Sequence, residues 1–128
     1  MKLAIEILND YPIATEIVRE WFLKRMRRSF EEDNVSDEFK EGMLKMGVPD
    51  STLAIMLDQS PRNFFDVLDE NDICITVDYK SLRDPETKEG INLFDYQINH
   101  VDFGGGFFNR VDCERAAVTK ALLMLDLR

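Results

Sequence analysis

The residue types best suited to chemistry gather in one stretch, HVDFGGGFFNR, residues 100–110. It holds the chain's single histidine, three successive glycines, three phenylalanines and an arginine. A glycine run ahead of a helix can cradle phosphate, because backbone N–H groups at a helix N-terminus point at an anion. Here Phe107 and Phe108 separate the glycines from the helix cap expected at Asn109, and Asp112 and Glu114 put negative charge in the first turns. Neither G-x-G-x-x-G nor G-x-x-x-x-G-K-[ST] occurs. The glycines are therefore read as a turn that reverses the chain and lets Phe107-Phe108 rejoin a sheet as a short third strand. The other reading is a mobile, aromatic-flanked loop that touches a partner, since Phe and Arg are enriched at interfaces. On that reading Phe103, Phe107, Phe108 and Arg110 are the candidate interaction residues.

The remaining reactive groups each have a structural explanation. A nucleophile needs a base beside it, and any histidine-based pair must use His100, which no other signature residue accompanies. Cys113 stands near a helix start, where the dipole can lower a thiol pKa, but it falls on the apolar face between Asp112 and Glu114. Cys74 alternates with buried strand positions. Both cysteines are expected in or near the core, as small hydrophobes. The acidic groups around Glu31-Glu32-Asp33 and Asp66-Asp69-Glu70-Asp72 lack the glycine and spacing of a calcium loop, so no metal is expected. The run Lys24-Arg25-Met26-Arg27-Arg28 fits basic residues in the last turns of a helix, favoured by its dipole. Glu114 lies one turn from Arg110 and can pair with it. Glu114 and Lys120, at the margins of the apolar face, are expected to reach out to water.

The elements that must position these residues follow from periodicity. Residues 3–8 are too short to assign between a helical turn and an edge strand. Pro12 opens a helix over about 12–31, with Val18, Phe22, Met26 and Phe30 at four-residue steps. Ser36 caps a helix over 37–46 that Gly47 ends; Asp50 or Ser51 caps one over 51–58; Ser60-Pro61 opens one over 61–69. The period then changes from about four to two. Ile73, Ile75, Val77 and Tyr79 alternate with Cys74, Thr76, Asp78 and Lys80. After a polar loop over 81–90, Phe94, Tyr96 and Ile98 alternate with Asp95, Gln97 and Asn99. The last helix spans about 110–127, and Ala117 and Ala121 would let it approach a sheet closely. The sequence predicts one α+β domain over 1–128: a helical part (1–70), then a ββα part (71–128) with an antiparallel hairpin, extendable to three strands, packed by the C-terminal helix.

With 128 residues, 45% hydrophobic and 32% charged, the chain can bury one core without disulfide staples. Two isolated thiols suit a reducing cytoplasm. No apolar run approaches the roughly 20 residues of a membrane span, and Glu6 interrupts the N-terminal one. The net charge of −9 lies in the middle: residues 1–30 carry +2, residues 31–74 carry −9 and residues 75–128 carry −2. Such a balance repels phosphates, so direct nucleic-acid binding is disfavoured.

The ending FFNRVDCERAAVTKALLMLDLR, a short aromatic strand leading through Asn-Arg into E-x-A-A-x-x-K-A-L, resembles the C-terminal segment of small phage- and mobile-element-encoded proteins of unknown function. ATEIVREWFLKRMRRSFEED and SPRNFFDVLDENDI are similar to parts of the same group. The resemblance implies an accessory protein of a mobile element and transfers no active residues. The functional expectation is a non-enzymatic protein that binds an unidentified protein partner, with inhibition of a host protein by its acidic segment as one form and homo-oligomerisation open. The alternative is a nucleotide or small-molecule binder using Arg110, Arg115 and the Phe103/Phe107/Phe108 segment. No cofactor is expected.

Overall fold

Proline at position 12 fixes both the end of one helix and the start of the next. In the computed structural model, which describes residues 2–128, α1 (Ala4–Asp10) stops at Tyr11 and α2 (Pro12–Glu32) begins with that proline in its first turn. The segment 3–8 thus resolves as helix from Ala4 onward, with Leu3 extended before it, burying Ala4, Ile7 and Leu8. Asn9 and Asp10 do not cap α2, because they belong to α1. The cap comes from the far end of the chain: the Ala14 N–H donates to Asp126 Oδ1 at 3.0 Å. Thr15 donates its hydroxyl to the Leu8 carbonyl, closing the bend between the two helices.

α3 (Asp37–Met46) has the predicted limits, with the Ser36 hydroxyl accepting from the Phe39 N–H and Gly47 at φ +64° ending it. α4 (Asp50–Gln59) follows Pro49, and neither Asp50 nor Ser51 caps it; Asp50 instead pairs with Arg19 of α2. A 3₁₀ turn (Pro61–Phe64) leads into α5 (Phe65–Glu70), so the expected helix over 61–69 is tightened in its first half. α1 packs on α4, and α3 packs on α2 with no residue of its own buried.

β1 (Ile75–Arg83), β2 (Gly90–Ile98) and β3 (Asp102–Phe107) form an antiparallel sheet in that order, and α6 (Arg110–Asp126) packs on it. The fold class is α+β, as the change of period implied. The loop is shorter than its polarity suggested: Leu82 pairs with Ile91 and Arg83 with Gly90, so only residues 84–89 connect the strands. α6 starts at Asn109, whose side chain accepts from the N–H groups of Val111 (2.7 Å) and Asp112 (3.3 Å). Ala117 and Ala121 are fully buried against the core, which Phe64, Leu53, Leu57, Leu68, Ile73, Ile98 and Leu122 complete.

Candidate functional site

The triple glycine is inside a strand and does not form the turn. The chain reverses earlier, at Asn99 and His100, both with positive φ (53° and 60°), and the Val101 N–H closes the turn on the Ile98 carbonyl at 3.1 Å. Paired positive φ values are what a tight hairpin needs to match strand twist, and asparagine tolerates them. Asn99 also fixes the start of β1: its side chain accepts from the Cys74 N–H (2.7 Å) and donates to the Asp72 carbonyl (3.0 Å).

The glycines are required by what lies against β3. Phe94 pairs with Phe107 but Tyr96 pairs with Gly104, so β3 carries one residue more than β2 over that span, a bulge. A Cβ on Gly104 would lie 2.6 Å from the Tyr96 hydroxyl and closer still to the ring. A Cβ on Gly105 would lie 2.9 Å from the Asp95 carboxyl carbon. Gly106 has φ +81°, which side chains rarely adopt, and its N–H donates to Asp95 Oδ1 at 3.0 Å.

Register sorts the sheet into two faces. Toward α6 lie Ile75, Val77, Tyr96, Ile98 and Phe107. On the other face, which no helix covers, Thr76, Asp78, Lys80 and Leu82 stand opposite Gln97, Asp95, Leu93 and Ile91, and Phe103 stands opposite Gln97. A shallow groove of about 430 Å³ runs across that face between Lys80, Asp95, Gln97 and Phe103, over the bare backbone of Gly104 and Gly105. Lys80 Nζ sits 3.0 Å from Asp95 Oδ2. That ammonium, with the Gly106 N–H, holds the Asp95 carboxyl below the usual carboxylate range, and Asp95 in turn raises the Lys80 pKa.

The five candidate residues separate. Phe103 and Phe108 are exposed, at 66% and 77%, near the two ends of β3, and Val101 is exposed just before the strand begins. Phe107 turns inward, its ring 6.2 Å from that of Tyr96. Arg110 covers the buried Glu114, with Nε 3.0 Å from Oε1. Glu114 therefore does not reach out to water as expected, because the arginine is placed to pair with it under the surface. Arg115 is held elsewhere, its Nε on Asp58 and its Nη2 on the Lys2 carbonyl, both at 3.0 Å. The basic run of α2 lies in the turns before its end at Glu32, one residue beyond the predicted limit. Arg25 stacks over Trp21 at 5.0 Å and pairs with Asp66 at 3.6 Å.

The two cysteines part company. Cys113 is buried, and burial, then Asp95 and Glu114, pushes its thiol up to about 11 against an ordinary 9.0. Cys74 is exposed, contrary to a core position, because its side chain falls on the open side of the period-two alternation with Ile73 and Ile75. An alkylating reagent at neutral pH is expected to add one label to the native protein, at Cys74, and a second only after unfolding; intact-mass measurement reads this directly. Because folding favours the protonated Cys113 thiol, its contribution is fully present below pH 9.0 and is lost as pH rises toward about 11. Denaturation midpoints should fall over that window and fall less in Cys113→Ala.

His100 is exposed, its Nδ1 3.3 Å from Gln97 Oε1. Among the described residues no group of acidic, histidine and cysteine side chains is arranged to hold a metal ion, and no helix is long and apolar enough to cross a membrane. Asp78, Lys80, Asp95 and Gln97 had been readable only as the polar halves of two alternating strands. The hairpin register is what assembles them into one surface. No protein-family model, curated protein or solved structure matches the chain.

Proposed function

We propose that this is a non-enzymatic accessory binding protein, acting in the cytoplasm through protein–protein contact at the uncovered face of the sheet. The exposure of Phe103, which lines the Lys80–Asp95 groove, and of Phe108 just past the far end of β3 carries the reading. Exposed aromatic side chains are enriched where proteins meet, and a few such anchors carry much of the binding energy. The resemblance of the C-terminal segment to phage and mobile-element proteins supports the accessory role, and inhibition of a host protein through the acidic segment is one form of it.

Charge indicates the partner's sign. Four carboxylate side chains of the acidic middle segment are engaged internally: Asp50 with Arg19, Asp58 with Arg115, Asp66 with Arg25 and Glu70 with the Trp21 indole N–H. Glu31, Glu32, Asp33, Asp37 and Glu38 stand exposed around the α2–α3 elbow. With a net charge of −9, association with a basic protein is steered electrostatically and weakens as salt is added.

Phe103→Ser/Phe108→Ser is the test, because both rings face solvent and their loss leaves the core intact. Host-extract proteins retained by the wild type at low salt should be lost from the doubly substituted protein at unchanged thermal stability. Retention of the same proteins by both would rule out this face. The nucleotide-binding alternative gains nothing from the geometry, since Arg115 is held by α4 and the N-terminal residues, away from Phe103.

A further inference from the structure

At the two ends of the β1–β2 hairpin, Asn99 N–H donates to the Cys74 carbonyl and Asp84 N–H to the Glu89 carbonyl, each at 2.9 Å. Antiparallel hydrogen bonding alternates along a strand, so Thr76, Asp78, Lys80 and Leu82 direct their backbone groups at β2. Ile75, Val77, Tyr79, Ser81 and Arg83 then direct theirs outward, along an edge that no other strand pairs with. Residues Asp78 to Arg83 are exposed throughout.

Sheet edges are normally blunted by shortness, proline, bulges, charged side chains or a covering element. β3, the opposite edge, is blunted: it has six residues, a bulge and Gly106 at φ +81°. β1 has nine residues and neither proline nor bulge. Its outward N–H and C=O groups are open to a further strand, and its edge charges, Asp78 and Lys80, are of opposite sign.

We propose that β1 pairs antiparallel with β1 of a second copy, about a two-fold axis through Tyr79, to form one continuous sheet. The choice of partner and register rests on charge. With the axis at Tyr79, Asp78 stands opposite the partner's Lys80 and Lys80 opposite the partner's Asp78, on the same face. Moving the axis by one residue sets Asp78 against the partner's Asp78, or Lys80 against the partner's Lys80, which is destabilising. The outward-facing odd residues meet as hydrogen-bonded pairs: Tyr79 with the partner's Tyr79, Val77 with the partner's Ser81, Ile75 with the partner's Arg83. Such an interface is self-complementary and closes at two copies. Pairing β1 with a partner's β3 would leave free edges and grow into a filament.

Sedimentation equilibrium across a micromolar concentration series tests this. The wild type is expected to move from one chain mass to two. Asp78→Lys places lysines opposite each other twice and should weaken the dimer about ten-fold or more; Lys80→Asp does the same with carboxylates. The combined Asp78→Lys/Lys80→Asp protein restores opposite pairs and should restore the dimer, which loss of folding would not do. Tyr79→Pro removes an outward N–H while leaving the ladder to β2 intact, so it should give a folded monomer. A wild type that stays monomeric throughout overturns the proposal, as does a dimer indifferent to all these substitutions. A monomeric wild type whose β1 binds an extended segment of another protein also overturns it. The pairing is independent of Phe103 and Phe108: Phe103→Ser/Phe108→Ser should lose its captured proteins and keep its doubled mass.

Discussion

Phe64→Ala is expected to destabilise the protein by about 3–5 kcal/mol, the range for removing a fully buried aromatic ring. At roughly 4 °C per kcal/mol for a chain of this size, the melting temperature should fall by about 12–20 °C. Phe64 has no exposed surface and is among the largest side chains wholly inside. It ends the 3₁₀ turn that α4, α5 and α6 all contact, and its ring meets Phe22 of α2 edge-on at 6.2 Å. Four helices would thus border the cavity left by alanine, and none can move in to fill it without leaving its other contacts. Chemical denaturation gives the measurement: the midpoint should shift with little change in slope. Phe39→Ala is the control. Phe39 is 50% exposed and touches only Phe30 among the aromatic rings, so its removal should cost less than about 1 kcal/mol. Equal effects at the two positions would contradict the packing described.

Gly104→Ala is the second large effect, and its cause differs. The added methyl meets the Tyr96 ring, 2.6 Å from its hydroxyl oxygen, so either the ring swings out or β3 lifts from β2. Tyr96 is partly buried against the core beside Phe107 and opposite Val77, which resists the first movement. Overpacking of this kind costs about 1–3 kcal/mol. A double-mutant cycle isolates the cause. In a Tyr96→Ala background the methyl has no ring to meet, so Gly104→Ala should then cost about 1 kcal/mol less, or more than that. Additive effects would mean that the glycine is needed for some reason other than Tyr96.

Much of the architecture was legible in the sequence because it is local. Pro12, Ser36, Gly47 and Asn109 act within one turn of themselves, so their roles can be read from neighbours alone. The change of period at Ile73 announces the sheet for the same reason. The glycine run shows where that logic fails. Three consecutive glycines resemble a turn to any local rule, whereas Asn99-His100 carries a weaker turn signal. What requires glycine at 104 and 105 is the Tyr96 ring and the Asp95 carboxylate on the neighbouring strand. Those contacts exist only once the register is set. Cys74 misled for a related reason. Its alternation with Ile73 and Ile75 is legible in the sequence, but only the assembled sheet leaves that side open to solvent.

The sequence alone therefore determined the α+β class, the helix limits set by caps and prolines, the strand alternation and the concentration of negative charge in the middle of the chain. All of these depend on residues close together along the backbone. The tertiary structure decided the rest. It placed Asp126 at the N-terminus of α2, 112 residues away, and set Arg110 over the buried Glu114. It divided Phe107 from Phe103 and Phe108. It joined Lys80 to Asp95 on the uncovered face of the sheet, and it left β1 as an unprotected edge. Each depends on which strands and helices become neighbours, a choice made by burial of the whole core that no short window of sequence contains.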